Sequence, residues 1–536
     1  MSRTHVILIN NIKLPIDASV KEAFSVARGR LSRIGISADT KKMNIYRRST
    51  DARRRDDIKF VYTVSAEVEG RLPRSDKLAA AGASVLLSDV PSPIFGEEPL
   101  TAPPVVVGSG PCGLFAALLL AECGYAPIVL ERGGSVKERM EATERFKRLR
   151  VLDENCNIQF GAGGAGTFSD GKLVTRINDP MTGYVLDRFV EFGASESIKY
   201  LARPHVGTDV LSEVVEGMLR RITELGGRVE YHTKFLRPVF SGRTVTAALT
   251  DKGEIPAGAI ILAIGHSARD TYEQLLSLGL AIEPKAISVG MRIEHLTADI
   301  DRALYGEFAG HPALGHAEYN LSYDTKNRGV YTFCMCPGGE VVPAASESGG
   351  VVVNGMSNSA RDGKNSNSAV VCSIFKEDYG ATPRGAIEFQ RKIERAAFEA
   401  GGRDYSAPII TVGDFLDGGC RTEPTRVSPT YMNGGVVLAR PESYLPSVVS
   451  EAIKNALPAF DRRISGFAAR SAVLTGAETR TSAPLRIMRD SEGTALGYEN
   501  LYPAGEGAGY AGGITSAAID GVKCALALMK KYKVRD

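Results

Sequence analysis

The chain has 536 residues, of which 43% are hydrophobic and 24% are charged, and its formal net charge is +3. This length exceeds what one hydrophobic core serves, so two or three domains are expected. No apolar run approaches the ~18 residues of a membrane helix, and the start lacks a signal-peptide pattern. We therefore expect a cytoplasmic protein with no membrane partner. The eight cysteines follow neither a disulfide framework nor a zinc pattern, and we predict no metal site.

The first part of the chain is basic and alternates strand and helix patterns. Residues 1–75 contain 16 Lys and Arg against 8 Asp and Glu. The order βαββαβ predicts a ferredoxin-like α+β domain over residues 1–90, and the proline-rich stretch 91–104 predicts a linker. Arginines cluster at 47–48 and 53–55, which suggests nucleic acid as a partner. The RNA-recognition consensus is absent, however, so we favour salt bridges to the acidic remainder of the chain.

A nucleotide-binding pattern follows the linker. Residues 105–113 read VVVGSGPCG, where Gly108, Gly110 and Gly113 form GxGxxG between an apolar strand and an apolar helix. Gly108 permits the tight turn, and Gly110 lets a pyrophosphate touch the backbone. Gly113 brings helix and strand together, so that the phosphate lies at the positive helix N-terminus. The alternative is a glycine turn inside an ordinary βαβ core.

Two further features refine this site. Glu131 closes the next apolar strand and can accept hydrogen bonds from both ribose hydroxyls, which argues against a 2′-phosphate. Residues 161–166 also fit GxGxxG, but neither a buried strand before them nor an apolar helix after them is predicted. We therefore reject this stretch as a second Rossmann site. Either NAD or FAD fits the first site.

The C-terminal stretch decides between them. Residues 501–514 read LYPAGEGAGYAGGI, with five glycines in fourteen residues. In two-part FAD domains the chain returns at its end with a strand, an acid for the ribityl or pyrophosphate region, and a helix aimed at the flavin. Here Glu506 after Gly505 is the acid, and Gly512, Gly513 and Ile514 begin the helix. A helix N-terminus near flavin N1 and O2 stabilises the reduced ring.

These motifs resemble a known family. The chain is similar to two-dinucleotide-binding-type flavoproteins with the glutathione-reductase-like FAD fold. It resembles, more narrowly, an uncharacterised bacterial family of FAD-dependent dehydrogenases with an N-terminal plait. The narrow resemblance covers nearly the whole chain through RRSTDARRR (47–55), VVVGSGPCGLFAALLLAECG (105–124), FGAGGAGTFSDGKL (160–173), AIGHSARD (263–270), FCMCPGG (333–339), NGMSNSARDGKNSNSA (354–369) and LYPAGEGAGYAGGI (501–514).

The resemblance implies FAD and redox chemistry, but no particular substrate. We expect the FAD to be bound non-covalently, since no residue clearly signals covalent attachment. It places the loop 163–172 near the pyrophosphate and the isoalloxazine. The usual Asp of the C-terminal turn is replaced here by Glu506, which is one methylene longer. The further FAD contacts that we predict on this basis are Pro111, Arg132, Gly164, Gly166, Thr167, Asp170 and Gly265.

Residues 282–480 lie between the two predicted FAD segments, 105–281 and 481–536, and read as an inserted α+β substrate domain. Arg361 and His295 are candidates for binding or protonating an anionic substrate, although each type is more often a surface or core residue. Lys172 could compensate the charge of reduced flavin, and a solvated lysine fits equally. We interpret His266 as structural. The CxC at 334–336 could be a redox dithiol, but we favour two buried thiols.

The sequence therefore predicts an α/β protein with a split Rossmann-like FAD domain of the glutathione reductase type, an inserted domain and an N-terminal ferredoxin-like domain. We expect an FAD-dependent oxidoreductase that transfers hydride at flavin N5 on an unidentified small-molecule substrate. NAD(P)H is expected only as a transient electron donor, since no second dinucleotide fingerprint is present. The alternatives are an RNA-directed flavoprotein and a non-catalytic flavin-binding sensor. The sequence does not determine the oligomeric state.

Overall fold

The computed structural model describes residues 4–86, 91–175, 179–325 and 328–535. The N-terminal unit has the predicted element order βαββαβ. Its four strands form one antiparallel sheet in the order β2-β3-β1-β4, and the helix faces Ala23, Ala27 and Leu31 are buried against it. The elements are β1 (Thr4–Pro15), α1 (Val20–Ser32), β2 (Met43–Asp51), β3 (Lys59–Glu69), α2 (Ser75–Ala80) and β4 (Ala83–Val85).

The arginine-rich hairpin of this unit is neutralised locally. Arg53 pairs with Asp51, and Arg54 pairs with Asp56. The sequence predicted salt bridges to the acidic remainder of the chain, and for these two arginines that prediction was wrong. Their partners lie two residues away because the tight hairpin places acids and arginines side by side.

One arginine of the cluster does reach the rest of the chain. The guanidinium of Arg48 lies 4.8 Å from the ring centre of Phe60 and 5.9 Å from that of Tyr200. Its backbone N–H donates to the Tyr200 carbonyl at 2.6 Å, and its carbonyl accepts from Ala202 N–H at 2.8 Å. Strand β2 thus docks the N-terminal unit against a segment that continues directly into Arg203.

A parallel five-stranded sheet follows in the order β24-β12-β6-β7-β8. Strand β24 (Leu501–Pro503), from near the end of the chain, thus pairs with β12, which lies beside the first strand after the linker. Its elements and those around it are β5 (Glu98–Pro99), β6 (Pro104–Val107), α3 (Pro111–Glu122), β7 (Ile128–Leu130), α4 (Val136–Leu149), α5 (Gly164–Thr167), α6 (Thr182–Glu191), α7 (Thr208–Glu224), β8 (Arg228–Glu230), β9 (Phe235–Ser241), β10 (Thr244–Thr250), β11 (Gly253–Pro256), β12 (Ala259–Leu262) and α8 (Arg269–Ser277). Strands β9 to β11 form a separate antiparallel sheet, which the sequence did not predict.

The middle of the chain forms a seven-stranded sheet in the order β15-β16-β19-β14-β22-β20-β21. The sequence predicted one good helix here, around 385–400, but α9 and α12 are helical as well. The elements are β13 (Ile282–Pro284), β14 (Ile287–Leu296), α9 (Thr297–Tyr305), β15 (Ser322–Asp324), β16 (Gly329–Cys336), β17 (Glu340–Pro343), β18 (Val353–Met356), β19 (Asn365–Ile374), α10 (Pro383–Ala400), β20 (Ala407–Thr411), α11 (Val412–Asp417), β21 (Val436–Leu438), α12 (Ser447–Asp461) and β22 (Val473–Glu478).

The chain ends with β23 (Leu485–Ile487), β24 (Leu501–Pro503), α13 (Ile514–Lys531) and β25 (Tyr532–Lys533). Helices α3 and α13 pack so closely that a Cβ on Gly521 would lie 2.1 Å from the Cys112 carbonyl oxygen. The glycine therefore sets the distance between these two helices, and their N-termini open on the same cavity. Among the described residues, no helix is both long and apolar enough to cross a membrane.

Candidate cofactor and substrate site

A cavity of about 590 Å³ lies where β6, β12 and β24 end. Residues directly after all three strands line it, and so do residues of the seven-stranded sheet. The carboxyl ends of parallel strands are where open α/β sheets bind ligands. Of the predicted site residues, those in the cavity wall are Gly108, Gly110, Pro111, Glu131, Arg132, Gly164, Gly166, Asp170, Lys172, Gly265, Glu506, Gly512, Gly513 and Ile514.

The first glycine turn is built by backbone contact. Gly108 has a φ of +95°, and a Cβ there would lie 2.5 Å from the Ala263 carbonyl oxygen. A Cβ on Gly113 would lie 1.8 Å from the Gly108 carbonyl oxygen, so this glycine lies under the turn and outside the cavity wall. Gly110 differs, because its φ is −69° and a Cβ would meet only Gly164 Cα, at 3.7 Å. The fold thus requires the first and third glycines, whereas the second keeps space free.

Glu131 joins three loops beside this turn. Its Oε1 accepts from the N–H groups of Gly133 and Gly161, each at 3.0 Å. Its Oε2 accepts from Ser109 N–H at 3.0 Å and Ser109 Oγ–H at 2.6 Å. A carboxylate offers about four acceptor positions, and protein donors use them here. A ribose hydroxyl could bind this carboxylate once the Ser109 hydroxyl rotates away, since that donor alone is not backbone.

Arg132, next along the chain, is held in place on two sides. Its guanidinium lies 4.2 Å from the ring centre of Phe160, and its Nη2 donates to Asp270 Oδ2 at 2.5 Å. All three side chains also border a second, polar cavity of about 440 Å³. The guanidinium therefore forms part of the partition between the two cavities.

The second glycine run lies against the first and does not form a site of its own. A Cβ on Gly164 would lie 2.8 Å from Gly110 Cα, and one on Gly166 would lie 3.0 Å from Ile514 Cγ1. The run lies between the starts of α3 and α13. It fits there because Gly164 and Gly166 have no side chains at the two close contacts. Thr167 is buried below it, and its hydroxyl has no hydrogen-bond partner among the residues that the structure describes.

Arg139 of α4 supports this run, and the sequence analysis missed it. Its guanidinium is fully buried and donates to the carbonyls of Asn157, Ile158 and Ala162 at 2.6–2.9 Å. An arginine in an otherwise charged helix carries no sequence signal for this role. The fold alone shows that the guanidinium holds the loop before the glycine run.

The glycines at the end of the chain have two separate functions. Gly505 has a φ of +71°, and a Cβ there would lie 2.7 Å from Cys112 Cβ, so it permits close packing. At Gly512 and Gly513 a Cβ would meet no described atom within 4 Å. These two glycines precede α13 and leave open space beside its N-terminus. Gly265, with a φ of +72°, also faces open space.

Two titratable groups face the cavity from this side. Burial raises the pKa of Glu506 to about 7, against the opposing effect of Lys285. Burial lowers the pKa of His266 to about 3, and Arg480 and Arg269 lower it further. His266 Nδ1 lies 2.9 Å from Ser267 Oγ. The imidazole is therefore neutral at pH 7, whereas Glu506 titrates near that pH.

A cluster of charged side chains forms the part of the cavity wall next to the seven-stranded sheet. Asp170 is paired with Arg361 and with the Ser357 hydroxyl, and the Lys172 ammonium lies 3.6 Å from it. Burial opposes the charge of Lys172, but Asp170 and Glu318 outweigh this effect and raise its pKa. Lys172 therefore lines the cavity as a cation.

The two residues predicted to handle the substrate lie outside the cavity wall. Arg361 donates to Asp170 and, at 2.7 Å, to Glu318 Oε1, and so acts through residues that do line the cavity. His295 is buried with its Nε2 2.7 Å from the Phe467 carbonyl oxygen, and burial lowers its pKa to about 4. The sequence could not distinguish these positions, because packing between distant segments decides whether the loop that carries Arg361, or the face of β14 that carries His295, meets the cavity.

Comparison of the sequence with known protein families and proteins indicates the class of protein. Residues 286–481 match the family described as "FAD-dependent protein, C-terminal domain-like", which supports a flavoprotein that uses FAD. Residues 6–67 match a domain family of unknown function. The chain is 42% identical over 532 residues to an uncharacterised protein of Clostridium beijerinckii, covering 98% of this chain and 99% of that protein. This chain belongs to the same family as that protein.

Solved structures show more distant likeness. One is the L-amino acid deaminase of Proteus vulgaris, with 12% identity, a TM-score of 0.32, and coverage of 84% of this chain and 98% of that chain. Another is glycine oxidase of Bacillus cereus, with 10% identity, a TM-score of 0.31, and coverage of 81% and 99%. A third is CtdE in complex with FAD, with 11% identity, a TM-score of 0.31, and coverage of 79% and 82%. Likeness at this level does not define a substrate or a reaction.

Proposed function

We propose that the protein is an FAD-dependent oxidoreductase that acts on a small-molecule substrate in the 590 Å³ cavity. One observation carries this proposal. The first glycine turn, the returning C-terminal turn and the seven-stranded sheet contribute walls to one continuous cavity. A dinucleotide and a substrate can meet there without a further binding site.

The residues present fit FAD bound without a covalent link. We place the pyrophosphate at the N-terminus of α3, where Gly108, Gly110 and Pro111 face the glycine run that contains Gly164 and Gly166. Backbone N–H groups at a helix start favour a phosphate, and a Cβ on Gly110 would take up cavity space. Thr167, buried beneath the run, positions it without contacting the cofactor.

We place the adenosine end beside Glu131 and Arg132, and the flavin end beside Gly265 and the turn Gly505–Glu506. The open space at Gly512 and Gly513 lets a planar ring approach the N-terminus of α13, with Ile514 as its first residue. The positive end of that helix favours negative charge on the ring. Bound FAD supplies a two-electron acceptor at N5 for hydride transfer.

The substrate, on this proposal, lies beside Lys172. Lys172, Arg203 and Arg361 carry three positive charges, against two negative charges on Asp170 and Glu318. The Lys172 ammonium, which faces the cavity, favours an anionic group on the substrate, or the charge of the reduced cofactor. Arg361 keeps Asp170 in place and is a positioning residue. We assign no catalytic role to His295, because its ring lies in the core.

The fold assignments are part of the same proposal. The pairing of β24, near the end of the chain, with β12 supports a split FAD domain of the glutathione reductase type, over 105–281 and 481–536. The seven-stranded sheet supports a substrate domain over 282–480, and the sheet order β2-β3-β1-β4 supports a ferredoxin-like domain over 1–90 before the linker 91–104. We do not propose RNA as a partner, since Arg53 and Arg54 already have acidic partners. A cytoplasmic location stays a prediction.

The test is the flavin content and reactivity of the purified protein. We expect a yellow protein whose chromophore is released by denaturation and has the mass of FAD. Anaerobic titration with NADH, NADPH and pools of anionic metabolites should bleach the flavin absorbance with at least one of them. A protein that purifies without flavin and does not bind added FAD would rule out the proposal. Flavin that no donor reduces would favour the sensor alternative.

A further inference from the structure

The cavity wall contains a thiol that the proposed FAD site does not use. Cys334 lies in β16 and lines the cavity, whereas Cys336, two residues later, is buried. The sequence analysis favoured two buried thiols, and for Cys334 that interpretation was wrong. Both cysteines are free in this structure. Cys334, the partly exposed one, adjoins the part of the wall that holds Lys172.

A β-bulge turns Cys334 toward the cavity. Phe333 pairs with Ala369 and Cys336 pairs with Asn367, so two residues of β16 oppose the single Ser368 of β19. Cys334 adopts a φ of +46°, which is a costly conformation for a residue other than glycine. Bulges of this kind redirect a side chain and are common beside functional sites. The strain here keeps one thiol accessible within an otherwise regular strand.

The buried thiol is oriented toward the accessible residue. The Cys336 Sγ–H donates to the Cys334 carbonyl oxygen at 3.4 Å. Cys336 is fully buried, and its thiol points back toward the backbone of Cys334. Cys334 supplies a partly exposed thiol, and Cys336 supplies a second thiol directed at the Cys334 backbone. An intramolecular disulfide needs two sulfurs placed in this way.

Charged groups around Cys334 favour its thiolate. The neighbouring Cys336 thiol acts most strongly, and Arg292 and Lys172 add to it, so that the pKa of Cys334 falls below its ordinary value despite burial and Asp170. Arg292 Nη1 also donates to the Cys334 carbonyl oxygen at 3.1 Å. The carboxylates near Cys334 have cationic partners of their own: Asp170 with Arg361, Glu318 with Arg361 and Arg203, and Glu478 with Arg292.

We propose that Cys334 and Cys336 form a redox-active dithiol in the cavity, with Cys334 as the nucleophilic thiolate and Cys336 as the resolving thiol. The oxidant is a hydroperoxide small enough to enter the cavity. The Cys334 thiolate attacks the peroxide and the O–O bond breaks. A sulfenic acid forms, and the hydroxide (or alkoxide) that leaves takes up from solvent the proton that the Cys334 thiol had released, which gives water (or alcohol). The Cys336 sulfur then attacks the Cys334 sulfur, the S–O bond breaks, and the hydroxide leaves as water with the proton of Cys336. The two thiols lose two electrons in total, and the peroxide gains them.

Closure of this disulfide would change the cavity electrostatics. The thiolate is one of the negative groups near Lys172, and the disulfide is neutral. Oxidation therefore leaves the lysine with one fewer counter-charge and increases the attraction of the cavity for anions. Neither step involves the cofactor, so the proposal stands or falls independently of the FAD assignment.

The first test measures thiol reactivity in the full-length protein. Brief alkylation with iodoacetamide between pH 5.5 and 8.5, followed by peptide mass spectrometry, gives the labelling rate of each cysteine. We expect the labelling rate of Cys334 to rise at a lower pH than the rates of the controls, and at pH 7 we expect Cys334 to react about 10-fold faster than they do. The matched controls are Cys123 and Cys420, partly exposed thiols whose pKa burial raises. A Cys334 profile that follows Cys420 would overturn the proposal.

The second test uses a stoichiometric amount of hydrogen peroxide. We expect an intact mass lower by two hydrogen atoms, a peptide that joins Cys334 to Cys336, and reversal by dithiothreitol. Cys336→Ser should stop at a sulfenic acid that dimedone traps on Cys334, whereas Cys420→Ser should still form the disulfide. Absence of the cross-link in the wild-type protein, or a Cys336→Ser protein in which dimedone traps no sulfenic acid on Cys334, would overturn the proposal. The wild-type arm decides even where a variant fails to fold.

Discussion

Arg361 and Asp170 form a two-point ion pair, with Nε–Oδ1 at 3.1 Å and Nη2–Oδ2 at 2.5 Å. The carboxylate is 1% exposed and the arginine side chain 11% exposed. The pair joins the loop after the second glycine run to the loop before β19. Its position explains why an arginine that the sequence suggested for substrate binding stands behind the cavity wall.

Replacement of Arg361 by Ala should therefore lower stability. Loss of the guanidinium leaves the buried Asp170 without its main partner, and removal of one member of a buried pair costs about 3–5 kcal/mol. We expect a clearly lower midpoint of thermal unfolding, with partial recovery in the double variant Arg361→Ala/Asp170→Asn. Arg426→Ala, which removes an exposed pair with Asp299, should cost less than about 1 kcal/mol. Normal stability of Arg361→Ala with weakened substrate binding would restore the direct role.

Two glycines of the first turn should respond differently to the same substitution. Gly110→Ala should fold normally, because its Cβ meets Gly164 Cα at an ordinary 3.7 Å, yet it should lose FAD because the methyl group fills the space of the pyrophosphate. Gly113→Ala should fail to fold or be strongly destabilised, since its Cβ would lie 1.8 Å from the Gly108 oxygen. Circular dichroism and the flavin-to-protein ratio measure both effects. A folded Gly110→Ala protein with full flavin would place the phosphates elsewhere.

Glu506 should make the flavin-free protein less stable as the pH rises. Its pKa is about 7 in the folded protein against an ordinary 4.5, so the folded state binds the proton more tightly. The resulting stability is complete below pH 4.5 and is lost as the pH rises to about 7. Glu506→Gln should therefore match the wild type at acidic pH and exceed it at pH 8, by on the order of 3 kcal/mol.

The measurement for Glu506 is the difference between the thermal midpoints of the two proteins at pH 5 and pH 8. The difference is required because buried histidines contribute with the opposite sign: the lowered pKa values of His266 and His295 make stability fall as the pH falls. If the thermal midpoints of wild type and Glu506→Gln changed in parallel with pH, folding would not raise the pKa of Glu506, and the prediction would be wrong.

Glu394 should be important for stability at the contact between the domain of the parallel sheet and the domain of the seven-stranded sheet. Its carboxylate accepts from Arg269 at 2.7 and 2.8 Å, from Arg480 at 3.1 and 3.2 Å, and from Thr479. Glu394→Ala leaves two buried guanidinium groups without this partner, and we expect a loss of about 3–5 kcal/mol or more. Glu388→Ala, on the same helix, removes only an exposed carboxylate bonded to Arg391 and should cost less than about 1 kcal/mol. Urea unfolding of both variants tests this, and equal effects would contradict it.

Sequence alone identified the features that depend on local backbone chemistry. The turn has no room for a Cβ at Gly108 or Gly113, so only glycine fits these two positions. The strand, turn and helix around 105–122 were therefore predictable from the sequence. The return of the chain end was predictable for the same reason, since Gly505 and Gly521 permit close approach to α3. Some of these requirements act within a few residues of the chain. The others demand a glycine at the point of close approach, and that glycine is visible in the sequence.

Tertiary structure decided which side chains share the cavity. Arg361 and His295 differ in placement although both were plausible ligands, and Cys334 reaches the cavity only through an unpredicted bulge. The acceptor positions of Glu131 are filled by loops that lie apart in sequence. In each case the deciding partner is distant along the chain, and hydrogen bonding and packing between distant segments leave no periodic pattern in the sequence. The glycine motifs were therefore readable in advance, whereas the roles of the charged and sulfur-containing side chains were set by the folded arrangement.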